Sequence, residues 1–309
     1  MLNNYAYFSF GNLAINPLLY RFFEKLRHAV TLKGSVDYRT GTMYKSFMEK
    51  AIISDFDRAL KCREFRIYLQ PQMDYKGELI GAEALVRWRK DNNTIIPPNA
   101  FIPVLEKFDL IGKLDSYMWE LAVSILREWK HTEFKDLHIS INISPKDMEL
   151  MDVFKVITYL VHKYDVDPSK LHLEITESVI IQNPANVNNL IMRLKEAGFL
   201  IEIDDFGSGY SSLNMLKDID ADVIKIDTGF LSKSLNEDRG EIILDSIIFM
   251  AKRLGIGTVT EGIETPNQFA MLNAMGCDVY QGYLFSKPVS VKEFENKYSN
   301  LCRKEPIPS

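Results

Sequence analysis

The stretch FLIEIDDFGSGYSSL (199–213) begins as an apolar strand and stops on two adjacent carboxylates, Asp204 and Asp205, against a glycine-rich turn. Like charges that close repel each other, so a positive group is expected beside them. Before the turn, Ile201 and Ile203 alternate with Glu202 and Asp204. That period of two belongs to a strand whose faces meet different surroundings.

The pattern repeats along the chain. Strands are predicted at FRIYLQP (65–71), LIGAEALVRW (79–88), LHISINIS (137–144) and LHLEITES (171–178). Four more follow at LIEIDDFG (200–207), DVIKIDT (222–228), GTVTEGIE (257–264) and YQGYLFSKP (280–288). Helical patterns separate most of them, among them DSYMWELAVSILREWK (115–130) and NVNNLIMRLKEAG (186–198), the latter stopped by Gly198. Such alternation means parallel βαβ units, and eight strands on this scale predict a closed barrel. Only MDYKGE (73–78) joins the first two strands, too short for a crossover helix. The predicted fold is therefore α/β, a modified TIM (β/α)8 barrel with an antiparallel first strand and a short helical N-terminal segment. Amphipathic helices are expected at 16–32 and 41–62 around the polar turn KGSVDYRT (33–40). Residues 1–50 are read as the N-terminal segment and 51–309 as the barrel.

Bulk properties narrow the function. A chain of 309 residues with net charge −5 has ample core but lacks the basic stripe that grips long nucleic acid. Its three cysteines, Cys62, Cys277 and Cys302, form no C-x-x-C pair, which points to a reducing compartment without disulfides. The five histidines form no H-E-x-x-H or H-x-H pattern, so no histidine-rich metal site is expected. No apolar run approaches the ~18 residues of a membrane helix. The first residues show neither a basic n-region nor a cleavage site, and a soluble, cytoplasmic protein is expected.

Face parity locates the candidate chemistry. Ile139, Ile141 and Ile143 leave Ser140, Asn142 and Ser144 opposite; Leu171, Leu173 and Ile175 leave His172, Glu174 and Thr176; Ile224 and Ile226 flank Lys225. With the aliphatic set under the helices, Asn142, Glu174, Asp204 and Lys225 point inward near the strand ends. Glu83 and Glu261 occupy similar places in their own strands. Six polar side chains from six strands thus converge on the rim that carries chemistry in barrel enzymes. Clustered acids are costly without cations. Oxygen ligands plus one amide suit a hard ion, Mg2+ or Mn2+, rather than zinc, and two such ions would offset the charge and hold a phosphate. Asp204 and Asp205 are read as facing metal, Asp205 being turned in by the bend at Gly207.

At these residues the sequence resembles the EAL-domain family, phosphodiesterases of the bacterial messenger cyclic di-GMP. The motifs are EALVRW (83–88), INIS (141–144), LEITES (173–178), DDFGSGYSSL (204–213), IKID (224–227), EGIET (261–265) and QGYLFSKP (281–288). The likeness runs over residues 50–298, and seven motifs in family order are specific where one would be weak. Ser208 stands for the usual threonine, Thr260 for a common alanine, and Gln72 where an aliphatic residue often follows QP; no ligand is lost.

The resemblance implies two divalent ions that activate a water to cut one phosphodiester, giving linear pGpG. It implies Glu83, Asn142, Glu174, Asp204 and Glu261 as ligands of the first ion, with Asp205 helping to hold the second and Asp204 shared. Lys225 would orient or deprotonate the attacking water, and Gln281 would hold the water network. Glu177 would brace the loop 205–215. Arg87 would contact a substrate phosphate, with Gln70 and Leu85 also at the substrate, and Asp227 and Glu264 would steady the ligands. A homodimer is implied, paired through 214–222 and 239–254, the latter carrying the stripe Ile242, Leu244, Ile248 and Met250. A receptor that binds the messenger without cleaving it is the competing reading, and an enolase-type Mg2+ barrel a more distant one. The intact ligand set favours the enzyme.

Overall fold

The computed structural model describes residues 38–90, 94–207, 212–227 and 237–302. The connection between β1 (Phe65–Asp74) and β2 (Leu79–Arg89) is the expected tight turn. Asp74 Oδ1 accepts the backbone N–H groups of Lys76 and Glu78, both at 2.8 Å. Gly77 supplies the left-handed φ of 77° that the reversal requires.

The chain divides into two compact units, Met1–Arg66 with Arg87–Phe108, and Ile67–Val86 with Asp109–Ser309. In the first, helix Tyr38–Lys61 covers the 41–62 prediction and runs through residue 50, whereas the helix predicted at 16–32 lies outside the described residues. Phe56, Phe65, Trp88 and Phe101 pack there with ring centroids 4.9 to 5.7 Å apart. Buried Glu64 accepts from Trp88 Nε1 at 2.9 Å and pairs with Arg58 at 2.6 Å. β3 (Ile95–Ile96) pairs antiparallel with the end of β2, and helix Pro98–Lys107 follows.

The second unit holds the barrel. β4 (His138–Ile143), β5 (Leu171–Thr176), β6 (Leu200–Asp204), β7 (Val223–Asp227), β8 (Gly257–Glu261) and β9 (Val279–Tyr280) follow β2 as parallel neighbours in chain order. β1 pairs antiparallel with β9 and with β10 (Val289–Ser290), and its pairing with β2 closes the ring. Ile139, Ile141, Leu171, Leu173, Ile175, Ile201, Ile203, Ile224 and Ile226 are all buried, as strands covered by helices require. Burying each such side chain contributes about 1.5–3 kcal/mol.

One predicted strand is corrected. The eighth, proposed at 280–288, ends at Tyr280. Gln281 and Leu284 instead bond to the backbone of Ile263, and Gly282 lies so close to that backbone that any Cβ would collide with it. Gly81 is likewise pressed against the His138 ring. The stripe Ile242, Leu244, Ile248 and Met250 divides: Leu244 and Ile248 of helix Glu237–Leu254 are buried, Met250 is half-buried and Ile242 is exposed, as are Ile243 and Phe249 beside it. Four helix positions separate Leu244 from Ile248 and put both on the barrel side.

Candidate active site

Five strands deliver a ring of charge around one lysine. Lys225, 1% exposed on β7, places Nζ 2.7 Å from Glu174 Oε2 and 2.7 Å from Glu261 Oε1. Asp204 Oδ1 lies 3.3 Å and Glu83 Oε2 3.9 Å from the same nitrogen. This ammonium is a positive group beside Asp204, whereas the sequence reading puts metal beside both Asp204 and Asp205. Burial alone would lower its pKa, but Glu174, Glu83, Glu261 and Asp204 together hold it well above the usual lysine range. Burial pushes the Glu174 carboxyl well above its usual value, with Glu83 adding to the effect. Burial likewise raises Glu261 to about 7 against the pull of Lys225. One lysine thus offsets only part of the charge of four acids. Glu174 Oε1 is buried without a hydrogen-bond partner. An orphaned carboxylate oxygen in an all-oxygen ring fits a hard divalent cation.

Asn142 joins the ring, its Nδ2 donating to Glu83 Oε1 at 3.3 Å. The backbone carbonyl of Asn142 accepts from Trp119 Nε1 at 3.0 Å, which ties the strand end to its covering helix. Gln281 Nε2 donates to Glu83 Oε2 and to Gln70 Oε1, the second bond at 3.3 Å. Glu177 is buried at the start of helix Glu177–Gln182, and its Oε2 accepts the Gly207 N–H at 2.9 Å. The reversal begins at Asp205, two residues before the bend read at Gly207. Asp205 itself is left-handed at φ 56°, a conformation aspartate tolerates, and it is exposed.

The remaining expectations fall as follows. Leu85 is half-buried on β2. Arg87 lies on β2 within the first compact unit. The backbone of Asp227 sits in register with Glu261, while its side chain and residues 208–211 lie outside the described residues. Glu264 is exposed, and its backbone N–H donates to Gln268 Oε1 in the capping turn of helix Pro266–Met275.

His172 is a hydrogen-bonded residue of the barrel interior, as its parity implied, and it belongs to a lower polar layer whose cross-strand contacts were not anticipated. His138 and His172 stack at 3.8 Å with planes 3° apart, and His172 Nδ1 lies 2.6 Å from Glu202 Oε1. His138, His172 and Glu202 offer ligand atoms within 4.8 Å of one another, a group able to hold a metal, although no histidine motif announced one. The stacked rings argue for another role. Their in-plane lone pairs run side by side instead of converging, and His138 Nε2 is engaged by Gln72 Oε1 at 2.7 Å. Parity contained the signal: residues 138, 172 and 202 share the inward faces of Asn142, Glu174 and Asp204. Linear motif spacing could not show that neighbouring strands bring them together.

The structure thus combines a closed β/α barrel, an antiparallel first strand and an acid ring around a buried lysine. The chain belongs to the EAL domain family, whose profile matches residues 53–288. It is 34% identical over 247 residues to a cyclic di-GMP phosphodiesterase of Pseudomonas aeruginosa, covering 79% of this chain and 42% of the relative. Against the cyclic di-GMP phosphodiesterase RocR of the same organism, identity is 32%, over 78% of this chain and 62% of the relative. The chain thus spans less than two thirds of these relatives' length. The PaMucR phosphodiesterase in complex with c-di-GMP superposes with TM-score 0.75 at 30% identity, covering 79% of this chain and 99% of that one. An EAL enzyme bound to cAMP and cyclic di-GMP superposes with TM-score 0.76 at 28% identity, over 91% and 74%. Among the described residues no helix is long and apolar enough to cross a membrane.

Proposed function

We propose that this chain hydrolyses cyclic di-GMP to linear pGpG. The observation that carries the reading is Lys225 held within 4 Å of Glu83, Glu174, Asp204 and Glu261 on five separate strands. Glu83, Asn142, Glu174, Asp204 and Glu261 would hold one Mg2+ or Mn2+, and Asp204 with Asp205 a second. Bound there, such ions supply Lewis-acid activation of water and neutralise phosphate charge. The chain's own groups divide the remaining work. Lys225 donates hydrogen bonds that orient the attacking water in line with the scissile bond. The water oxygen bonds to phosphorus as the P–O3′ bond breaks, and the proton the water gives up is matched by one taken up at O3′, which leaves linear pGpG with a 5′-phosphate and a free 3′-hydroxyl. Gln281 and Asn142 fix the Glu83 carboxylate by donating to its two oxygens. Glu177 restrains the turn that carries Asp205 through the Gly207 N–H. Arg87 would contact a substrate phosphate, with Gln70 and Leu85 also at the substrate, while Asp227 and Glu264 would steady neighbouring ligands.

The protein would act in the cytoplasm, with residues 1–50 as a segment distinct from the barrel. It would act as a homodimer through the outer face of helix Glu237–Leu254, whose Ile242, Ile243 and Phe249 are exposed. The complete donor set favours turnover over the receptor reading. Incubation with cyclic di-GMP and Mg2+ or Mn2+, followed by chromatography, tests the proposal. Appearance of pGpG supports it, and unchanged substrate with both cations sinks it.

A further inference from the structure

The acid ring rests on a chain of amides that runs down to the histidine layer. We propose that Gln72 and His138 are positioning residues, setting which end of the Gln281 amide faces the cation ligand Glu83. The inference rests on the reading of Glu83 as a cation ligand.

The direction follows from the carboxylate end. Gln281 presents Nε2 to Glu83 Oε2, as it must where that carboxylate oxygen serves a cation and can only accept. The second hydrogen of that nitrogen goes to Gln70 Oε1. Gln281 Oε1 is then left facing Gln72, which must donate, and its Nε2 lies 3.1 Å away. Gln72 Oε1 in turn faces His138 Nε2 at 2.7 Å, so the imidazole must carry its proton on Nε2. Gln72 is 0% exposed and Gln281 3%, which leaves water no room to repair a reversed link. If either amide turned over, acceptor would meet acceptor within a dry layer.

The bottom of the chain is itself held. The His138 ring lies against Gly81 on one side and is stacked on His172, whose Nδ1 is tied to Glu202. Glu202 also receives Ser140 Oγ at 3.4 Å. Burial, with His172 and Lys170 nearby, holds His138 well below its usual pKa, consistent with a neutral ring bearing one N–H. A packing role would need only the shape of residue 138, whereas an orienting role needs its donor.

Mn2+ binding to the full chain, followed by the loss of the free-ion paramagnetic resonance signal, separates the two. Circular dichroism and thermal melting verify the fold of each variant. His138→Phe keeps a flat stacked ring without a donor and should weaken Mn2+ binding about tenfold, while His138→Gln keeps a donor and should stay within about threefold of wild type. Wild-type affinity in His138→Phe, or equal losses in both variants, would overturn the proposal. Should His138→Phe fail to fold, Gln72→Met puts the same question, with about tenfold weakening expected and wild-type affinity again the contrary result. Absence of Mn2+ binding by the wild-type chain would also overturn it. Mn2+ binding without cleavage of cyclic di-GMP would refute the proposed reaction and leave this assignment standing.

Discussion

Lys225 Nζ lies 2.7 Å from Glu174 Oε2, and neither group has more than 1% of its side chain exposed. Removing one partner of such a buried pair leaves an uncompensated charge, typically worth about 3–5 kcal/mol. Lys225→Met should therefore lower the melting temperature of the cation-free protein, and Mg2+ should recover part of the loss. Turnover should fall at least about a hundredfold with KM changed far less, because the lysine acts on the water. Thermal melts with and without Mg2+, beside steady-state kinetics, check both parts. Near-normal kcat would make Lys225 a purely structural residue.

Chelation should stop the reaction. Ca2+, larger and looser in its geometry than Mg2+, should support cyclic di-GMP binding with little turnover. Calorimetric binding in Ca2+ and product formation in Mg2+, Ca2+ and excess EDTA give the comparison. Undiminished cleavage in EDTA would contradict the cation assignment.

Glu177→Ala removes the acceptor of the Gly207 N–H and frees the turn that carries Asp205. Activity and Mn2+ affinity should fall about tenfold or more, with a stability loss of about 1–3 kcal/mol from the orphaned N–H. Glu177→Gln retains a carbonyl acceptor and should recover most of both. Equal defects in the two variants would mean that the charge, not the hydrogen bond, is what matters.

The acid limb of stability should carry a contribution from Asp55. Hydrogen bonds from Arg58, then Lys90, hold its carboxyl at about 2, below the ordinary 3.8. The unfolded chain binds this proton more readily than the folded one. The stabilisation is therefore complete above about pH 4 and disappears as pH falls through about 2. Solvent screening limits it to about 1 kcal/mol or less. Asp55→Asn should flatten denaturant midpoints between pH 4 and 2 relative to wild type, and parallel curves would refute the assignment.

Activity per chain should rise with protein concentration if the outer face of helix Glu237–Leu254 pairs two copies. Phe249 is 60% exposed and Ile242 65%. Phe249→Glu should yield a monomer with reduced specific activity, measured by sedimentation and rate over one dilution series. A fully active monomer at every concentration would uncouple assembly from catalysis.

Much of this site was legible in the linear order of residues because a strand converts sequence parity directly into direction. Asn142, Glu174 and Lys225 could be placed together from the sequence because isoleucine or leucine flanks each on both sides, Asp204 because Ile201 and Ile203 alternate with it, and Glu83 and Glu261 because they take similar places in their own strands. Parity says nothing of what happens across strands. It could not foresee that the His138 ring would lie flat on His172, or that Gln72 would bridge His138 to Gln281. The strand projected through 281–288 failed for a related reason. Its apolar residues fit a strand, but the collision that only Gly282 avoids involves Ile263, which local pattern does not reveal. Helix Glu237–Leu254 was recognisable as amphipathic, yet which apolar residues would face solvent depended on how it settled on the barrel.

The contact of Gly81 with the His138 ring carries a consequence for how this chain can diverge. A methyl group at 81 would occupy the space of the imidazole, so neither position can be exchanged freely while the other stays as it is. Mutational libraries built at single sites should find Gly81 intolerant, yet the same substitutions should reappear as viable when residue 138 is shortened in the same clone. In a lineage descended from this chain, the two positions would drift as a pair, and a larger residue at 81 would mark the loss of the imidazole at 138.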